Sequence, residues 1–179
     1  AIEAKSDTEY FSKKTMTVSF LCYAMVENIE WNQPKINEKL IMSSLLHDIA
    51  LSNPELSLVL TQDDVAYKWL SKNEKQDFLE HPAKAVKLIN KSQSLPIDVE
   101  KIISEHHERP DGTGFPKGLT SSTISPLSCI FILAEEFCQK LYSGPKDKKT
   151  VNFILANLEE HFSSGNFKSP YKALTRLFK

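Results

Sequence analysis

Apolar residues in this chain recur at intervals of three and four and scarcely ever alternate, which points to helices packed on helices. Val18, Leu21, Met25 and Ile29 share one face of a first helix. A loop containing Pro34 follows, and a second helix is predicted from about Ile36 to Ile49. Thr61-x-x-Asp64 and Ser71-x-x-Glu74 read as capping boxes that open two short helices. Pro82 and Pro96 suit the first turns of two more, where proline forfeits no needed hydrogen bond. Leu127, Ile130, Ala134 and Leu141 line a helix starting near Pro126. Val151, Ile154, Leu155, Leu158 and Phe162 line another, and a last short one begins at Pro170. With no strand pattern of useful length, no internal repeat and no low-complexity segment, the predicted class is all-α.

The 179 residues suffice for one domain with its own core, and 1–179 is read as a single unit. Basic and acidic residues balance at 22 against 23 with no long Lys/Arg block, so a nucleic-acid polymer is not an expected partner. A small anionic ligand needs only a few local charges. Cys22, Cys129 and Cys138 lack metal-site spacing, and a chain of this size needs no disulfide staple; a reduced, cytoplasmic protein is expected. The longest uncharged apolar stretch, Thr15 to Val26, is too short to span a bilayer. The start, Ala1-Ile-Glu-Ala-Lys-Ser-Asp7, has no apolar signal core and no initiator Met, so an N-terminal domain upstream is expected.

Three of the five glycines crowd into Arg109-Pro-Asp-Gly-Thr-Gly-Phe-Pro-Lys-Gly118. That stretch must be a tight loop whose backbone approaches something closely. It directly follows His106-His107. Two more histidine clusters accompany it: His47-Asp48 late in the second helix, and His81 before Pro82 at a helix start. Imidazole with carboxylate suits iron, manganese or zinc, whereas calcium and magnesium prefer all-oxygen shells. Asp111 is read as ordering the loop through a turn hydrogen bond. Glu108 is read as orienting a histidine from behind. His161 is expected on the surface, and Trp31 and Trp69 are expected to pack.

The series His47-Asp48, His81-Pro82, then His106-His-Glu-Arg-Pro-Asp-Gly-Thr-Gly-Phe-Pro116 resembles the HD-GYP family, over roughly Thr8 to Tyr142. The resemblance implies an HD-superfamily helical bundle with a buried metal site, residues 143–179 adding C-terminal helices. It implies His47, Asp48, His81, His106 and His107 as ligands, with Asp48 bridging two transition-metal ions, iron foremost. Glu135 stands where the family has an Asp and is the candidate sixth ligand; Glu136 is the neighbour with which it could be confused. Arg109, and less so Lys117, would meet substrate phosphates, with Gly112, Gly114 and Phe115 lining the same loop. Asp48 and Arg109 would carry the catalysis.

Four departures bear on activity. The family's Glu and His on the upstream helix are absent from Tyr10 to Thr17, so two metals are expected rather than three. A family lysine is Leu51, the family tyrosine is Phe115, and a second family Asp is Cys138. The expected function is hydrolysis of cyclic di-GMP to pGpG or GMP, with GGDEF-type or other signalling proteins as partners. The alternative is a weak or inactive cyclic-dinucleotide-binding module that keeps its metals.

Overall fold

The computed structural model describes residues 7–30, 35–91 and 95–179, with side chains from residue 12 onward. Eight α-helices are formed among the described residues: α1 (Asp7–Val26), α2 (Ile36–Leu46), α3 (Val65–Trp69), α4 (Lys72–Asn90), α5 (Ile97–Glu105), α6 (Pro126–Tyr142), α7 (Lys148–Phe162) and α8 (Lys168–Arg176). The sole β feature among them is one isolated bridge, Asp111 to Thr120. The all-α expectation holds.

α6 is the axis of the bundle. Every residue from Leu127 to Cys138 is buried, as a helix must be when neighbours surround it. α1, α2, α5, α7 and α8 all pack against it. Val18, Cys22 and Met25 of α1, Ile130, Leu133 and Phe137 of α6, Leu158 of α7 and Leu174 of α8 share one core. The C-terminal helices are therefore part of that core. Two smaller clusters complete the interior: Val59, Phe78 and Phe115 in one, Ala85, Val99 and Ile103 in the other.

Several local expectations are corrected. α1 ends at Val26, so Ile29 lies beyond it in a turn. Thr61 forms no capping box; Asp64 Oδ2 instead accepts from the backbone N–H groups of Leu60 and Thr61, at 2.7 and 3.0 Å. The Ser71–Glu74 box does form, and because it starts α4 there, Pro82 lies inside that helix rather than at a helix start. Trp69 is exposed rather than packed, because α3 ends with it and nothing among the described residues covers that turn; Trp31 lies outside the described residues. α2 stops at Leu46 with His47 as its C-cap, three residues before the predicted end at Ile49. His106 is likewise the C-cap of α5.

Candidate metal centre

His47 and His106 sit where helices end, and their rings satisfy the backbone left over there. The last carbonyls of a helix have no intrahelical donor. His47 Nδ1 reaches Ser44 O at 3.1 Å, and His106 Nδ1 reaches Ile103 O at 2.7 Å. His81 solves the same problem inside a helix. Proline at 82 has no N–H to give the carbonyl four residues back, and His81 Nδ1 takes that carbonyl, Phe78 O, at 2.6 Å. His107 Nδ1 meets Leu60 O at 3.0 Å. A carbonyl can only accept, so the network assigns the proton of every neutral ring to Nδ1 and turns every Nε2 lone pair inward.

Those nitrogens converge on two acids. Asp48 Oδ1 stands 3.4 Å from His81 Nε2 and 3.8 Å from His106 Nε2. Its other oxygen, Oδ2, stands 3.1 Å from His47 Nε2, which is 3.3 Å from Glu135 Oε1. Two donor groups result, Asp48–His81–His106–His107 and His47–Asp48–Glu135, each with ligand atoms within 4.8 Å of one another and all buried. Asp48 belongs to both. Glu135 faces this centre while Glu136 faces away, to Arg109 at 2.8 Å and Lys140 at 3.3 Å. Adjacent helical residues diverge by about a hundred degrees.

The donors fit a cation. His81 Nε2 and His106 Nε2 face each other at 3.0 Å, two lone pairs that only a shared proton or metal reconciles. His47 Nε2 and Asp48 Oδ2 are buried 3.1 Å apart without a well-aligned hydrogen bond among the described residues, a state that only opposite charges or a bound ion offsets. The C-terminal ends of α2 and α5, which carry partial negative charge, abut the same centre. Nitrogen with carboxylate oxygen suits a transition metal.

The charge states of the metal-free protein follow from burial and neighbours. Burial would lower the pKa of His47, but Asp48 and Glu135 outweigh it and raise it to about 10. Burial alone pushes the Asp48 carboxyl up, yet His47 and Lys14 hold it well below the usual carboxylate range. Glu135 is lowered likewise against burial, by Lys14 and then His47. Burial, reinforced by His81, depresses His106 to about 3, and burial with His106 and His81 depresses His107 well below its ordinary value.

Lys14 was missed by sequence reasoning, which weighed Tyr10 to Thr17 only for a Glu and a His and found neither. Its ammonium is 2.8 Å from Glu135 Oε1 and 3.8 Å from Asp48 Oδ2. A lysine outside every motif gives no signal of its own. Its clue was position, four residues before Val18 on the apolar face of α1.

The glycine loop supports the centre from the other side. A Cβ at Gly114 would fall on the backbone of Arg109 and within 2.5 Å of Glu108 Cα and His107 O. Gly112 and Gly118 both take positive φ, 81° and 64°. Phe115 is buried and stacks on His107, centroids 4.6 Å apart and planes 15° apart. The expected Asp111 turn forms, with Thr113 donating to Oδ1 through N and Oγ1 at 3.0 and 2.7 Å. Contrary to expectation, the Glu108 carboxylate makes no hydrogen bond to a histidine among the described residues. The loop curls back over it, so its carboxylate accepts from the N–H groups of Lys117 and Leu119 at 2.8 and 2.7 Å.

A cleft of about 560 Å³ opens beside His107, with Arg109, Gly114, Phe115, Lys140 and His161 in its wall. His161 is exposed, as expected, yet belongs to this cleft. Arg109 is buried and has two donors committed, Nη1 to Glu136 Oε2 at 2.8 Å and Nη2 to Leu60 O at 3.2 Å. Gly112 and Lys117 do not line the cleft, and the Lys117 side chain is exposed.

The HD domain profile matches residues 3–167. The chain belongs to the HD domain family. Among curated relatives, this HD domain is 27% identical over 181 residues to the cyclic di-GMP phosphodiesterase PA4108 of Pseudomonas aeruginosa, covering 97% of the chain and 41% of that protein. It is 31% identical over 121 residues to the cyclic di-GMP phosphodiesterase response regulator RpfG of Xanthomonas campestris pv. campestris, covering 65% of the chain and 30% of that protein. The chain thus spans less than half the length of these relatives. Its fold is similar to that of Bd1817, an HDG"Y"P protein from Bdellovibrio bacteriovorus, with a TM-score of 0.68 at 22% identity over 93% of this chain and 52% of the other. With its His-Asp pair, His-His pair and glycine loop, this HD domain is of the HD-GYP type. No helix among the described residues is long and apolar enough to cross a membrane.

Proposed function

We propose that this HD domain is a metal-dependent phosphodiesterase that hydrolyses cyclic di-GMP to pGpG or on to GMP. The observation that carries the reading is Asp48, one carboxylate shared by two buried donor groups beside a cleft. The names of both curated relatives support the substrate. Two ions are proposed, iron foremost, with manganese or zinc as the other chemically suited choices. Ions so held would supply a hydroxide near neutral pH and offset the charge that develops on phosphorus.

The protein's own residues have separable tasks. His81, His106 and His107 with Asp48 would hold one ion; His47, Asp48 and Glu135 would hold the other. Phe115 keeps the His107 ring in place by stacking. Arg109, its fork already committed on two sides, would attract the phosphate by charge, and Lys117 would assist from the outer loop. Gly114 lets the backbone come close enough for the cleft to exist. Signalling proteins of the GGDEF type and a cytoplasmic setting are part of the same proposal. A second reading, a module that binds the dinucleotide without cleaving it, is favoured by the internal pairing of Arg109. Metal-reconstituted protein incubated with cyclic di-GMP under reducing conditions separates the two. Release of pGpG or GMP supports the enzyme; binding without product supports the module.

A further inference from the structure

The cation that α1 brings into the centre is not evenly placed between the two donor groups. Lys14 is 2% exposed, and its ammonium also donates to Ser57 O at 2.7 Å. An ammonium taken out of water is tolerable only when paired, and its carboxylate partners among the described residues include Glu135 Oε1 and Asp48 Oδ2, at 2.8 and 3.8 Å. These are the two oxygens that face His47 Nε2, at 3.3 and 3.1 Å. The oxygen facing His81 and His106 is the other one, Asp48 Oδ1. Among the described residues, one donor group therefore already holds a lysine cation, and the other does not.

We infer that Lys14 makes the His47–Asp48–Glu135 group the weaker, exchangeable metal subsite. This deepens the proposed function and rests on its two-subsite reading. An entering ion must share Glu135 with the ammonium, in a buried place where like charges repel strongly, or push it aside toward Ser57. The Asp48–His81–His106–His107 group carries no such competitor and fills first. Lys14 acts through the metal rather than on substrate and is a positioning residue. Its charge also fixes how many ions the protein holds when metal is scarce.

The test is a manganese titration of the full metal-stripped chain, followed by electron paramagnetic resonance and by elemental analysis after desalting. Wild type should bind one ion tightly, with a mononuclear spectrum, and a second at least roughly tenfold more weakly. Lys14→Met should tighten the second ion by about that factor and give the spectrum of a coupled pair. Lys14→Arg, which keeps the charge, should stay like wild type. A lysine that merely ties α1 to α6 would leave the order of filling unchanged in both variants. Two ions of equal affinity in wild type would overturn the inference without any variant, even if Lys14→Met failed to fold. So would a folded Lys14→Met with an unaltered second ion. Binding of no tight ion at all would instead strike the two-subsite reading, and the inference with it.

Discussion

A single missing N–H sets the tautomer of His81. Proline at 82 cannot donate to Phe78 O, and the imidazole does so instead at 2.6 Å. Pro82→Ala would return a competing donor to that carbonyl and loosen the ring. Metal affinity should fall by about ten- to a hundredfold, the usual cost of losing a ligand's supporting hydrogen bond, while the metal-free protein becomes no less stable because helix α4 regains a bond. Isothermal titration with manganese and a melting curve check both halves. Glu135→Gln should weaken one ion, whereas Glu136→Gln should leave metal content unchanged, since Glu136 turns to Arg109 and Lys140; elemental analysis of the pair decides. Of the six ligand candidates, the five from the His-Asp, His and His-His clusters were readable because they stand in motifs. Glu135 was readable only by resemblance. Lys14 offered only its place on the apolar face of α1, and such a lysine looks like any surface cation until the fold shows two acids opposite.

At the scale of elements, the helices were legible wherever an apolar face repeats, as in α1, α6 and α7. The boundaries that failed did so for local reasons. Pro82 reads as a helix start, but the capping box at Ser71 and the apolar contacts of Phe78 and Ala85 carry α4 straight through it. Glu108 reads as a partner for histidine because it adjoins two, but the loop's return path could not be foreseen from spacing. Its carboxylate fastens that loop through two backbone N–H groups, and Glu108 itself is fully buried. Glu108→Ala should therefore cost about 3 kcal/mol, as charged acceptors of buried donors do, read as a lowered urea midpoint. Gly114→Ala should be at least as damaging, because backbone rather than a movable side chain occupies the space its Cβ needs.

At the scale of the molecule, the metal-free protein is a bundle whose core holds titrating groups, and its stability should depend on pH in both directions. His106 and His107 have folded pKa values below that of the unfolded chain, about 6.5. The unfolded state therefore binds more protons as pH falls below 6.5. Stability should drop there by about 1.4 kcal/mol per pH unit for each ring. His47 is the opposite case, raised to about 10; its contribution is complete below 6.5 and is lost as pH rises through 10. Urea midpoints of stripped protein should peak near pH 6.5, and a midpoint still climbing toward pH 8.5 would contradict these charge states. Metal, by occupying Nε2 of His47, should remove the alkaline loss. Both donor groups depend on Asp48, the one carboxylate common to them. The most direct test measures bound metal and cyclic di-GMP hydrolysis on the same samples of wild type and Asp48→Ala. Wild type should carry metal and release pGpG or GMP, and the variant should lose both, with hydrolysis down at least about a thousandfold, some 4 kcal/mol of transition-state stabilisation. An Asp48→Ala protein that keeps its metal and its rate would contradict the account.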